Sequence, residues 1–501
     1  MLNYRSPLER LCIKLYAMAK ADAIPLVSGM VSGLLAHMFV ITNKLMNADE
    51  VGALFSKGAT IDSGRWALEL LRLVFPDVSL PWLWGIITVF LITVSACITL
   101  RIFRVKHNFH RVLLPALFVS FPSLTGTMCF MFTTSSYAVA FLLAVLSVWV
   151  FVNMKKRLAA WLLSAVFLIF SVGIYQAYVA ISASFFVLLM LQKLLEGEDA
   201  KKVFGFGFRC VALLLVSLVV YYAISALAVH LSNGEFLTYA IEAENSLLMK
   251  VLMAYNALVK SIVSGYFGFV NSGLSFVAHI AGLAICAFLA IKELLKLRDI
   301  KKCLLVLLCI ILLPLSMNCI FLISSTQIIH SLVLYSFVVI YVFAVILLDR
   351  VEKPAHCLLR DAVVVCMLLT VINNVFFANK VYLKLHVQYE NAYAFYTGLM
   401  TEVYEAEGYD KDCRLVLIGN QSGLYMPEEL DTGDLFGPNE NLVNIYTNDY
   451  FIRNYMGYYS EFVSGDEYWA LRGSEEFEKM PAYPSEGSVK RIEDYIVVKL
   501  G

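Results

Sequence analysis

Residues 80–100 read Leu80-Pro81-Trp82-Leu83-Trp84-Gly85-Ile86-Ile87-Thr88-Val89-Phe90-Leu91-Ile92-Thr93-Val94-Ser95-Ala96-Cys97-Ile98-Thr99-Leu100, and Arg101, Arg104, Lys106 and Arg111 follow at once. The run has no acidic or basic side chain. About 20 such residues make a helix that crosses the ~30 Å hydrocarbon layer while satisfying its own backbone hydrogen bonds. The basic cluster behind it marks the side on which positive charge is retained. Working outward, the same pattern recurs at roughly 22–42, 112–130, 134–153, 158–174, 177–194, 210–230, 274–292, 303–323, 328–348 and 361–378, which with 80–100 makes eleven candidate spans. Lys and Arg alternate as that number requires. Arg5, Arg10, Lys14 and Lys20 precede the first span. Lys155, Lys156 and Arg157, then Lys193, Lys201, Lys202 and Arg209, then Lys292, Lys296, Arg298, Lys301 and Lys302, and finally Arg350, Lys353 and Arg360 fall on the same side. The loops 43–79 and 231–273 and the tail from 379 are poorer in them and are expected on the other side, with the N-terminus inside.

Composition agrees. Of 501 residues, 60% are hydrophobic and 16% charged, against roughly a quarter charged in soluble domains. Residues 1–20 are charged, so the first apolar run is expected to stay in the membrane as an anchor. The zero net charge hides an asymmetry: residues 379–501 carry 21 of the 39 acidic and 10 of the 39 basic side chains, leaving −11 in the tail and +11 in the body. An acidic tail on an apolar body argues against nucleic acid as a partner and for a lipid bilayer. The tail has one cysteine, Cys413, so no internal disulfide framework is available to it. Its helical stretch Val381–Glu407 is followed by strand-like runs at Arg414–Gly419 and Tyr495–Val498, separated by Gly, Pro, Asn and Asp clusters. The predicted fold class is an all-α polytopic membrane protein, residues 1–378, with a small α/β domain outside, residues 379–501.

Ion-driven carriers place ionisable groups at midplane depth. Here His279 and His330 lie in or near spans, and helix packing accounts for either. The carboxylates sit in the outside loops instead. The first loop, 43–79, contains Asn47-Ala48-Asp49-Glu50 directly after span one, then Ile61-Asp62-Ser63-Gly64-Arg65-Trp66 and an amphipathic stretch to Phe75. Arg65, Glu69 and Arg72 share one helical face, Trp66, Leu70, Leu73 and Val74 can sink into lipid, and Asp62 or Ser63 can cap the helix. A solvated acidic pair and a snorkelling Arg65 are the bland readings. Together, a carboxylate beside a helix-borne Arg can deprotonate an acceptor hydroxyl while the Arg holds a lipid-linked phosphate. The loop 231–273 carries Glu235, Glu242, Glu244, Lys250 and Lys260 in a helical pattern and reads as a second interfacial element.

The opening span followed by Asn-Ala-Asp-Glu and Asp-Ser-Gly-Arg-Trp, together with Gly173-Ile174-Tyr175-Gln176, resembles the type II glucosyltransferases of bacterial O-antigen modification, members of the multispanning GT-C group. The resemblance covers the membrane body well and the tail loosely. It implies a hexosyltransferase of the bacterial inner membrane that moves a hexose, expected to be glucose, from polyprenyl phosphate to a surface glycan on the outer face. Asp49 is then the expected base and Glu50 a second carboxylate, the pair that would hold Mg²⁺ or Mn²⁺ if a metal takes part. Binding of the donor phosphate by Arg65 is a physical inference. Direct displacement would invert the anomeric carbon. Tyr175 and Gln176 could hydrogen-bond sugar or phosphate, or Tyr175 could belong to the interfacial aromatic belt. Asp62, Gln327 and His330 are further substrate-binding candidates. The rival reading is a lipid-linked sugar flippase or exporter, which should show paired halves and midplane polar residues.

Overall fold

The computed structural model describes residues 7–501 except 57, 59, 237–245, 264–272, 324–329, 352–353, 422–423, 434, 436, 459–460, 462 and 464. In chain order the first helices are α1 (Pro7–Ala21), α2 (Ala23–Thr42), α3 (Ala48–Gly52) and α4 (Trp66–Leu71). Pro81 then opens α5 (Pro81–Ile102), in the first turn where a missing N–H costs nothing. Next come α6 (Asn108–Ser120), α7 (Pro122–Met128), α8 (Met131–Asn153), α9 (Arg157–Ile174) and α10 (Val179–Leu195). They are followed by α11 (Ala200–Leu231), α12 (Leu247–Val263), α13 (Gly273–Leu294), α14 (Ile300–Met317), α15 (Ile320–Ile323), a 3₁₀ turn at Ser331–Val338 and α16 (Val339–Asp349).

Among the described residues, ten helices are long and apolar enough to cross a membrane, or eleven if α6 and α7 count as one bent span. That pair is the expected span 112–130, and it is broken by 41°. The cause is Pro122: a proline excludes the helical conformation for the residue before it, and Phe121 is extended at φ −61°, ψ 133°. Buried polar contacts lock the bundle. His37 joins three helices, with Nδ1 at 2.7 Å from the Tyr382 hydroxyl and Nε2 at 2.7 Å from the Val119 carbonyl.

The last helix, α17 (Pro354–Glu405), merges the expected span 361–378 with the expected outside helix 381–407. At ~1.5 Å per residue it runs well beyond the thickness of a bilayer, so position 379 falls inside one continuous rod. Its far half carries Tyr396, Leu399 and Val403 into a small core with α18 (Asn448–Met456) and a three-stranded sheet of β1 (Arg414–Ile418), β2 (Val489–Ile492) and β3 (Tyr495–Lys499). The order is β1-β3-β2, with β1 parallel to β3, pairing Arg414 with Tyr495 through Ile418 with Lys499, and β2 antiparallel to β3. The other face of the sheet packs on α19 (Asp466–Arg472) and α20 (Glu475–Glu478) through Val416, Val497, Leu471 and Phe477. Met46 and Val51 of the first loop are fully buried in the same core as Tyr396 and Phe451, so the loop is seated on this unit.

Candidate active site

Asn47 fixes the acidic pair. Its backbone is extended, and its Oδ1 accepts the Glu50 backbone N–H at 2.8 Å, capping α3. Neighbours on a helix point about 100° apart, so Asp49 and Glu50 face different surroundings. Glu50 turns inward and is fully buried. Lys44 Nζ meets its Oε1 at 2.6 Å, Ser79 Oγ donates to the same oxygen, and the Phe132 backbone N–H donates to Oε2 at 3.1 Å. Asp49 opens onto a cavity of about 760 Å³. Loss of solvation there, together with the neighbouring Glu50 charge, holds its carboxyl above the usual range, while Arg65 pulls the other way.

Arg65 enters the same cavity from the second half of the loop. It occupies the N-cap of α4, and no side chain caps that helix, so the expected cap from Asp62 or Ser63 is not made. Ser63 Oγ donates instead to the Thr60 carbonyl at 2.9 Å. With Arg65 turned inward, the expected shared face reduces to Glu69 and Arg72, which pair at 2.8 Å. Leu70, Leu73 and Val74 are exposed as expected, but Trp66 packs inward against Phe170 with ring centroids 5.4 Å apart.

The two motifs singled out in sequence interlock. A Cβ at Gly173 would lie 2.8 Å from the Trp66 ring, so only glycine admits that indole. Gln176 Nε2 donates to the Ser63 carbonyl at 2.7 Å, and the Tyr221 hydroxyl donates to the Gly64 carbonyl at 3.1 Å. Gly64 sits at φ +74°, a left-handed conformation that its lack of a side chain permits. This clamp sets the next residue: the Arg65 guanidinium lies over the Tyr175 ring, 5.5 Å from its centroid. Tyr175 in turn stacks on Tyr137 at 4.1 Å and is only 5% exposed, so it is a cavity wall rather than a member of a lipid-facing belt.

His330 lines the cavity, near enough to Arg65 to feel its charge. Asp62 does not line it and lies against Gly234 at the end of α11. Gln327 falls outside the described residues. The divalent-cation reading is not supported by the donor set. Glu50 is committed to Lys44 and Ser79, and among the described residues no three His, Cys, Asp or Glu side chains converge to hold an ion.

Three participants come from the tail. Tyr450 of α18 lines the cavity against Gly52, and Asn454 Nδ2 donates to the Val51 carbonyl at 3.3 Å. Glu440 is half-buried beside Asp49; burial first, then the Asp49 charge, pushes its carboxyl up to about 7. Its loop is held to α17 by Gln388, which donates to the Pro438 carbonyl at 2.8 Å. Nothing in the local sequence ties residue 440 to residue 49, because the link runs through the fold.

The sequence model of one family, Glucosyl transferase GtrII, matches residues 38–348. The matched region spans more than half of the chain and contains the first loop and the Gly173–Gln176 motif; α17 and the sheet lie beyond it. No curated protein and no solved structure matches the chain. With an acidic residue and an arginine held in one aromatic-walled cavity at one end of a multispanning bundle, the chain belongs to the GtrII family of glucosyl transferases.

Proposed function

We propose that this protein transfers a hexose, glucose by its family, from a polyprenyl-phosphate carrier to a surface glycan, within the Asp49–Arg65 cavity on the outer face of the bacterial inner membrane. The observation that carries the reading is the convergence of Asp49 and Arg65 on that cavity. A carboxyl raised above its usual range is a better base for an acceptor hydroxyl. Arg65, planar and permanently charged, suits a phosphate leaving group. The stacked Tyr137 and Tyr175 line the cavity with apolar ring surface against which a sugar can pack. The cavity also reaches the outer surface of α11 through Leu218 and the largely exposed Tyr222, a route by which a lipid tail could stay in the bilayer while its headgroup enters.

The mechanism follows from these positions. The acceptor hydroxyl attacks the anomeric carbon as Asp49 draws off its proton. The bond to the phosphate oxygen breaks, its electron pair stays with the phosphate, and Arg65 stabilises that charge. One displacement inverts the anomeric carbon. Glu50 acts at a distance, holding α3 so that Asp49 faces the cavity, and no metal-dependent step is invoked.

The experiment is transfer of radiolabelled glucose from polyprenyl-phosphate glucose to acceptor glycan by purified protein, beside movement of labelled donor lipid across vesicles. Transfer that Arg65→Ala reduces at least tenfold supports the reading. Lipid movement without transfer would establish the flippase alternative instead.

A further inference from the structure

A second cavity, of about 610 Å³, lies at the opposite end of α8, α9 and α10 from the Asp49 site. The helices themselves show this. Met131, Val172 and Val179 lie at or beside the first cavity, while Asn153, Arg157 and Leu189 line the second, about 15–33 Å further along the three helices. Five cationic side chains line it, Arg104, Lys155, Arg157, Lys193 and Arg209, against the single carboxylate of Glu196.

The cations are unevenly committed. Lys193 pairs with Glu198 at 2.7 Å, and Arg209 donates to the Gly205 carbonyl at 3.3 Å; both also lie over the Phe206 ring. Arg104, Lys155 and Arg157 make no side-chain hydrogen bond or ion pair among the described residues. These three, all exposed, point their charge at one concave pocket with no partner among the described residues to neutralise it. The walls are apolar, with Phe151 and Trp161, and at the mouth Leu158 begins a stripe that continues through Leu162 and Val166 at helical spacing, all well exposed on the outer side of α9. That stripe runs from the pocket toward the middle of the bundle, along the path of a lipid chain.

We propose that this pocket binds the phosphate headgroup of an anionic phospholipid, with an acyl chain lying on the Leu158–Leu162–Val166 stripe. Basic pockets between spanning helices recognise anionic headgroups through charge, and the adjoining apolar stripe distinguishes a lipid from a free phosphate. The site is separate from the transfer cavity and independent of what that cavity transfers.

The test is native mass spectrometry of the full chain in neutral detergent, titrated with phosphatidylglycerol or phosphatidylcholine. Preferential retention of phosphatidylglycerol is expected. Lys155→Gln/Arg157→Gln should weaken it roughly tenfold, leaving phosphatidylcholine unchanged. Lys201→Gln/Lys202→Gln removes two exposed cations from the same end of the bundle, outside the pocket, and should change neither. Equal losses in the two double variants would show diffuse surface charge and overturn the proposal. So would unaltered retention in the first variant, or displacement of the lipid by excess inorganic phosphate.

Discussion

Gly64→Ala tests whether the clamp on the first loop sets the active geometry. The position has φ +74°, where a side chain costs about 1–2 kcal/mol. The new Cβ would stand 2.7 Å from the Tyr221 hydroxyl and 3.1 Å from Gln176 Nε2. The first is closer than a Cβ tolerates and the second tight enough that Gln176 must give way, so the hydrogen bonds to the Ser63 and Gly64 carbonyls lengthen or break, at about 1 kcal/mol each. The loop relieves this ~3–4 kcal/mol by shifting, and Arg65, the next residue, moves with it off the Tyr175 ring. A displacement of ~1 Å at a positioning group costs roughly 10²-fold in rate. Transfer from polyprenyl-phosphate glucose by the purified variant should therefore show kcat/KM about 100-fold below wild type, while the bundle, which the loop does not hold together, still melts cooperatively. Activity within twofold of wild type in a folded Gly64→Ala variant would refute the clamp.

Lys44→Met removes the cation from a fully buried Glu50, and breaking one side of a buried ion pair costs about 3–5 kcal/mol. A clear drop in melting temperature that Lys44→Met/Glu50→Gln partly restores is expected; no drop would show that Ser79 and the Phe132 N–H suffice. Glu440 titrates near 7 in the folded protein, above its unfolded value, so the fold favours its proton and loses stability as pH rises through that window. Glu440→Gln should accordingly raise the melting temperature at pH 8 and leave it nearly unchanged below pH 4.5; equal shifts at both pH values would contradict the assignment.

The spans were legible because lipid imposes one rule, about twenty apolar residues bounded by charge, and most such runs became one helix, while 112–130, 303–323 and 328–348 are helical in two pieces. What escaped was decided by contacts distant in sequence or by local chemistry weighted wrongly. Residues 112–130 read as one span until Pro122 forced Phe121 into an extended conformation. The edge strand β2, Val489–Ile492, alternates too little to register, with Lys490 and Arg491 in its middle. Asp49 read as the base and Glu50 as a second carboxylate, and nothing local to the pair showed that Lys44 would hold Glu50 buried while Asp49 lines the cavity. Arg65, Tyr175, Gln176 and His330 did gather at one cavity as their positions suggested. Asp62 did not, while Tyr450 reached the cavity and Glu440 the neighbourhood of Asp49 from the far end of the sequence.

In the proposed mechanism Asp49 takes the acceptor proton in the Arg65 cavity. Asp49→Asn keeps the shape and removes the base, so steady-state transfer across a range of polyprenyl-phosphate glucose concentrations is the most direct measurement. A fall in kcat of about 10²–10⁴-fold with donor KM close to wild type is expected, because donor binding is assigned to Arg65 and not to Asp49. Wild-type kcat in Asp49→Asn, or a loss confined to KM, would contradict it.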